Sequence, residues 1–243
     1  MDSLPQYDFK AGTILLVDKP LGWTSFDVVN KLRYTIRHRL GVRKIKVGHA
    51  GTLDPLATGL LIICTGKFTK KLNEFQGLPK TYTGTIQLGA TTPSFDAESE
   101  INETFPTNHI TPELLESARQ RFLGEIEQYP PIFSAVKVDG VPLYVRARKG
   151  EEVEIKSRKV TIYDFKLTRV EGNEVDFEVV CSKGTYIRSL ANDFGIALKS
   201  GAFLSALRRT KVNDFRIEEA WKLEDLIHYI DHSDKIIIST GEE

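Results

Sequence analysis

Val29, Leu32, Ile36 and Leu40 recur every three to four positions through SFDVVNKLRYTIRHRL, the spacing of an apolar stripe on a helix. Thr24 or Ser25 stands before it as a natural N-cap. Upstream, GTILLVDKP predicts a strand ending at Lys19-Pro20. Further on, LLIIC is a short apolar run, and GKFTKKLNEF after it predicts a basic helix. KTYTGTIQLG alternates with period two and is rich in β-formers, so it predicts another strand.

The pattern then lapses. TTPSFDAESEINETFPTNHI is acidic and aperiodic, and predicts a loop, with a mobile insert near residues 92–110. Thr111-Pro112-Glu113 starts a helix that should run to about Leu123, with proline at its first position. QYPPIFSAVKVDG and VPLYVRARKG predict a turn, a strand and a further helix. From Val153 to Cys181 the chain is β-rich, joined by a Gly-Asn turn. TYIRSLANDFGIALKSG predicts a helix closing on glycine, AFLSALRRTKVNDF a strand, and IEEAWKLEDLIHYI a last helix. Strands and helices do not alternate regularly, so the class is α+β rather than a doubly wound parallel sheet. With no internal repeat and no linker, residues 1–243 read as a single domain.

Composition changes this picture little. The 243 residues are 41% hydrophobic and 27% charged, as in an ordinary soluble globular protein. No apolar run approaches the roughly 18–20 residues that span a bilayer. The start, MDSLPQYDFK, has no secretory h-region. Cys64 and Cys181 lie far apart without a CxxC or clustered histidines, which suits buried thiols in a reducing cytoplasm and no metal site.

Charge changes more. Residues 1–92 carry 13 Lys and Arg against 6 Asp and Glu, net +7; residues 93–243 carry 20 against 27, net −7. A polyanion is drawn to one side of such a chain despite its overall neutrality. A solvated basic helix accounts for the same charges.

One acid stands inside the basic part. Between Asp27 and Glu74 the only carboxylate is Asp54, among ten Lys and Arg. It sits in GHAGTLDPLATGLL, where Gly48, Ala50, Gly51 and Gly59 would let a large substrate approach the backbone. Cations favour the ionised form of a carboxylate beside them, fit for a nucleophile or general base and not for a general acid. Taken alone, Asp54-Pro55 reads first as a turn initiator. Phosphate-loop, GxGxxG, HExxH and GxSxG motifs are absent, and the second acid of a glycosidase is missing from this window.

GHAGTLDPLATGLL resembles the catalytic signature of the TruB family, the tRNA pseudouridine-55 synthases. Five more segments resemble family motifs in the expected order: LLVDKPLGWTS, KTYTGTIQLG, PPIFSAVKVDGVPLYVRARKG, CSKGTYIRSLANDFG and LSALRRTKVNDF. Together they cover about residues 13–220. The resemblance implies the pseudouridine synthase fold, a central, mostly antiparallel or mixed sheet flanked by helices and loops. It also implies an isomerase: uracil leaves C1′ of its ribose, turns, and rejoins through carbon 5, with no cofactor and no metal.

By the same resemblance Asp54 is the essential carboxylate. Whether it attacks C1′, attacks the base or assists a glycal stays open. Arg188 would pair with Asp54 through its planar fork. Tyr82 would stack on the uracil and take part in proton movement. Tyr186 and Leu207 would line the pocket, His49 would contact or extrude the flipped nucleotide, and Lys19 with Pro20 would support the Asp54 loop. Arg33, Arg37, Arg39, Arg43, Lys44 and Lys46 would hold RNA phosphates, and stacking would offset part of the flipping cost.

The implied partner is the T-arm stem-loop of tRNA, for a cytoplasmic monomer needing no obligate protein partner and no membrane. Many bacterial relatives carry an additional C-terminal RNA-binding domain; the roughly 25 residues after the last motif are too few for one. The insert around Phe95–Asn108 matches no family motif. Two other readings stand beside this one: a relative working under a guide RNA with partner proteins, and a non-catalytic protein that binds and folds tRNA.

Overall fold

The run LLIIC is continuous because its strand is covered on both faces. This strand, β3 (Ala57–Thr65), sends Leu61 and Ile63 into a core with Leu15, Val17, Leu32, Ile36 and Leu226. Its alternate residues Leu60, Ile62 and Cys64 pack with Ala50, Val212, Phe68 and Phe75. The period of two along a strand divides the residues this way.

The structure, a computed structural model, describes residues 5–134, 137–138, 141–142 and 155–237. The fold clusters into two compact units, Met1–Leu78 with Arg208–Glu243, and Pro79–Leu207.

In the first unit β1 (Ile14–Lys19) runs antiparallel to β3, from Ile14 opposite Cys64 to Lys19 opposite Gly59. β2 (Val47–Ala50) is also antiparallel to β3, with His49 opposite Ile63. Helix α1 (Ser25–Leu40) covers one face. Thr24 caps it, in a reciprocal capping box with Asp27, and left-handed Gly41 ends it. GKFTKKLNEF does not form one helix. Gly66–Lys71 is a 3₁₀ turn, in which Thr69 Oγ1 donates to Gly66 O at 2.8 Å, and α2 (Leu72–Gly77) is short. The last helix, α5 (Leu223–His232), starts later than its sequence predicts, because Trp221–Lys222 are extended as β14, parallel to β1.

In the second unit the strand order is β4 (Lys80–Leu88), β11 (Glu174–Cys181), β10 (Arg158–Glu171) and β7 (Gly124–Gln128), every pair antiparallel. The Gly172-Asn173 turn closes the β10–β11 hairpin as expected. β5 (Ala90–Thr91) pairs with β6 (Glu103–Thr104), and β8 (Lys137–Val138) with β9 (Val141–Pro142). The rest of the strand and helix expected from PPIFSAVKVDG and VPLYVRARKG lies mostly outside the described residues.

Helix α3 (Pro112–Gln120) stops short of Leu123 because Arg121, Phe122 and Leu123 tighten to i→i+3 bonds. Phe165, Phe177 and Phe194 pack edge to face, joining the strands to α4 (Ile187–Ala197). That helix does not close on glycine. Lys199 takes the left-handed φ of 56°, while Gly201 leaves room for the ring of Phe105. β12 (Ala202–Val212) belongs to the second unit as far as Leu207 and to the first from Arg208, and β13 (Phe215–Arg216) turns back on it. The α+β expectation holds, and β1 pairs with β14 in parallel. No described helix is long and apolar enough to cross a membrane.

Candidate active site

Asp54 occupies the tip of the loop between β2 and β3, half-buried. The turn predicted for Asp54-Pro55 forms: Ala57 N donates to Asp54 O at 3.1 Å. It is also a pinned turn. Ser25 Oγ, itself buried, accepts from Leu53 N at 2.8 Å and donates to Leu53 O at 3.2 Å. On the other side Gly22 N donates to Pro55 O at 2.9 Å. Asp54 is thus held between two fixed peptide neighbours.

Lys19 supports this turn indirectly. Fully buried, its Nζ donates to Pro20 O at 2.9 Å and Trp23 O at 2.5 Å, folding the 20–24 loop whose Gly22 meets Pro55. Ser25, at the start of α1, carries no local mark in sequence of its contact with Leu53. His49, half-buried on β2, is one residue from the loop. Burial and the charge of Arg209 hold its imidazole below the ordinary value of 6.5.

In the second unit Tyr82 lies buried on β4, opposite Val179. Arg188 is buried in the first turn of α4. Its Nη1 donates to Ser94 O at 3.1 Å and Nη2 to Phe133 O at 3.0 Å, while Nε stands 3.5 Å from Asp96 Oδ2. Asp96 is only 1% exposed. Ser94 Oγ donates to its Oδ1 at 2.5 Å, and Glu98 N donates to the same oxygen at 3.0 Å. Within the acidic stretch Thr92, Ser94 and Asp96 are buried, and Thr92 Oγ1 donates to Asp96 O at 2.6 Å. Ala97 N also bonds to Leu204 O and Leu204 N to Phe95 O.

Tyr186 caps α4 and is fixed by a residue the sequence did not single out. Gln128, fully buried, accepts from Tyr186 N at 2.7 Å through Oε1 and donates to Tyr186 O at 3.0 Å through Nε2. Arg158 lies over the Tyr186 ring, 5.0 Å from its centroid. Leu207 is half-buried near the middle of β12.

The six basic residues expected to hold RNA divide into three kinds. Arg37, Arg43, Lys44 and Lys46 are exposed. Arg33 donates to Asn30 Oδ1 at 2.7 Å and Val47 O at 3.0 Å, and with Lys46, Gly48 and Thr69 it lines a cleft of about 380 Å³. Arg39 is half-buried, its Nη2 donating to Ser233 O at 2.7 Å, so its fork holds α1 to the end of α5. Among the described residues no three His, Cys, Asp or Glu side chains gather as metal ligands. Cys64 and Cys181 are buried free thiols, and burial pushes the Cys64 thiol up to about 11.

Residues 37–187 match the N-terminal domain of the TruB family pseudouridylate synthases. The chain belongs to the TruB family. Residues 188–237 match the tRNA pseudouridylate synthase B C-terminal domain. These residues are α4, β12 to β14 and α5, parts of the two units already described.

Among relatives, the tRNA pseudouridine synthase B of Flavobacterium johnsoniae is 60% identical over 214 residues, 88% of this chain and 93% of that protein. That of Phocaeicola vulgatus is 58% identical over 227 residues, 93% of this chain and 97% of its own. A solved Cbf5-Nop10-Gar1 complex contains a similar chain, with TM-score 0.69 and 30% identity over 91% of this chain and 55% of that one. A chain of an H/ACA RNP bound to a substrate RNA containing 2′-deoxyuridine follows, at TM-score 0.65 and 27% identity, over 91% and 54%. This TruB-family chain spans about half the length of those two. The α+β fold of both units is that of the pseudouridine synthases.

Proposed function

We propose that this chain converts uridine 55 in the T-loop of tRNA to pseudouridine, with Asp54 as nucleophile. The C1′–N1 bond breaks, C1′–C5 forms, and the proton on C5 is lost while N1 gains one, so atoms and electrons balance. The observation that carries the reading is the pinned Asp54 turn within a TruB-family chain. A nucleophile fixed in advance loses little freedom on reaching the transition state.

Arg188 is assigned the task of orienting Asp54, and Tyr82 that of stacking on the extruded uracil, a contact worth about 1–3 kcal/mol. Tyr186 and Leu207 would line the pocket, and His49 would contact the flipped nucleotide. Exposed Arg37, Arg43, Lys44 and Lys46, with Arg33, supply the phosphate contacts. The protein acts as a cytoplasmic monomer on tRNA alone, and the chemistry proposed requires no cofactor.

The test uses unmodified tRNA transcript tritiated at uracil carbon 5. Wild type should release tritium, while Asp54→Asn should release none and still bind tRNA. Binding without release by wild type would leave a tRNA-folding protein as the better reading.

A further inference from the structure

Arg209 is among the largest side chains that the fold buries fully, at 1% exposure. Its guanidinium is turned to main-chain carbonyls: Nε donates to Leu60 O at 2.7 Å and Nη2 to Gly51 O at 3.1 Å. Those two carbonyls flank the neck of the loop that carries Asp54. Gly51 directly follows β2, and Leu60 lies in β3 near its start. The Arg209 main chain closes on the same neck. A Cβ on Gly59 would collide with the Arg209 carbonyl and amide, and Gly59 holds a φ of +103° that L-residues rarely adopt.

Burying a guanidinium is costly, and a neutral residue would suffice to fill the space. What the arginine adds is a planar fork that reaches two carbonyls in one fixed geometry; a lysine ammonium is a point donor on a flexible stem. Its neighbour Arg208 is used differently, gripping the Asp18 carboxylate at 3.0 and 2.7 Å.

We propose that Arg209 is a positioning residue, clamping the neck of the Asp54 loop so that the carboxylate is presented in a single geometry. The inference rests on the reading of Asp54 as the nucleophile. The Arg209 charge has a second consequence: after burial itself, it is what holds the His49 imidazole below its ordinary value.

The experiment compares Arg209→Lys and Arg209→Gln with wild type. Tritium release is measured at saturating and subsaturating tRNA, well below each melting temperature, and the His49 imidazole is titrated by NMR. Both variants should lose about 10- to 100-fold in kcat, with KM for tRNA within about threefold. Only Arg209→Gln should raise the His49 titration midpoint. A purely structural arginine would lower the melting temperature and leave kcat per folded molecule unchanged, which would overturn the proposal. Failure of both variants to fold would overturn it equally. An inactive wild type would count against the proposed function instead. The clamp would then be judged by amide exchange at residues 51–57, which should accelerate in both variants, and unaltered exchange would refute it.

Discussion

Arg188 Nε lies 3.5 Å from Asp96 Oδ2, and both side chains are almost wholly buried. The pair ties α4 to the acidic loop, and Ser94 O and Phe133 O take the other guanidinium nitrogens. Removing one member of a buried pair costs about 3–5 kcal/mol. Asp96→Ala should fall in that range in urea unfolding, and Asp96→Asn, which keeps acceptor shape for Ser94 and Glu98, should lose less. Both should reduce kcat by roughly tenfold or more through displacement of Arg188, while tRNA binding stays near wild type in filter assays.

Gln128 is the next test. Gln128→Ala leaves the Tyr186 amide without its acceptor, at about 1–3 kcal/mol for a group cut off from water, while the Tyr186 carbonyl keeps the Leu190 amide at 3.1 Å. Gln128→Glu keeps the acceptor for Tyr186 N and loses the donor to Tyr186 O, so its stability should fall between. Denaturant unfolding followed by circular dichroism ranks the three proteins.

Salt dependence separates the basic residues by their geometry. Exposed Lys44 and Lys46 should each take about one unit from the slope of log K against log salt when changed to Ala. Arg39→Ala should leave that slope nearly unchanged and lower the melting temperature, since its fork holds Ser233. Equal slopes for wild type and Lys44→Ala/Lys46→Ala would remove these lysines from the RNA interface.

His49 gives a pH signature. Its folded value lies below the ordinary 6.5, so on acidification the unfolded chain takes up the proton first. Stability attributable to His49 is therefore unaffected above about 6.5 and declines as pH falls below it, levelling off once the folded imidazole also protonates. His49→Gln should flatten that part of the stability profile between pH 7 and 5. Identical profiles for the two proteins would contradict the assignment.

Local pattern made much of the fold legible. Val29, Leu32, Ile36 and Leu40 announce α1, and Thr24 its cap; the LLIIC run is legible only as apolar, and the structure makes it a strand covered on both faces. What escaped depends on partners distant in sequence. Trp221 and Lys222 look helical until β1, some two hundred residues earlier, pairs with them. Arg37 and Arg39 look alike on the polar face of α1, yet Ser233 claims one and solvent the other. In the site, Asp54 stood out because its neighbours in sequence are cations. Asp96 did not, because an acid among acids carries no local mark of burial. Arg209 was hidden beside Arg208 in the same way, although strand alternation required the two to face opposite ways.

The first unit is assembled from both halves of the chain's length, with β14 on β1 and α5 against the core of α1. During synthesis its opening 78 residues leave the ribosome long before the segment from Arg208 that completes them. The second unit, Pro79–Leu207, is whole by then. Asp54 is therefore translated early and locked in place late, when Arg209 emerges. Contacts of such sequence separation slow folding, so the Asp54 loop waits on the segment from Arg208 before it acquires its final support.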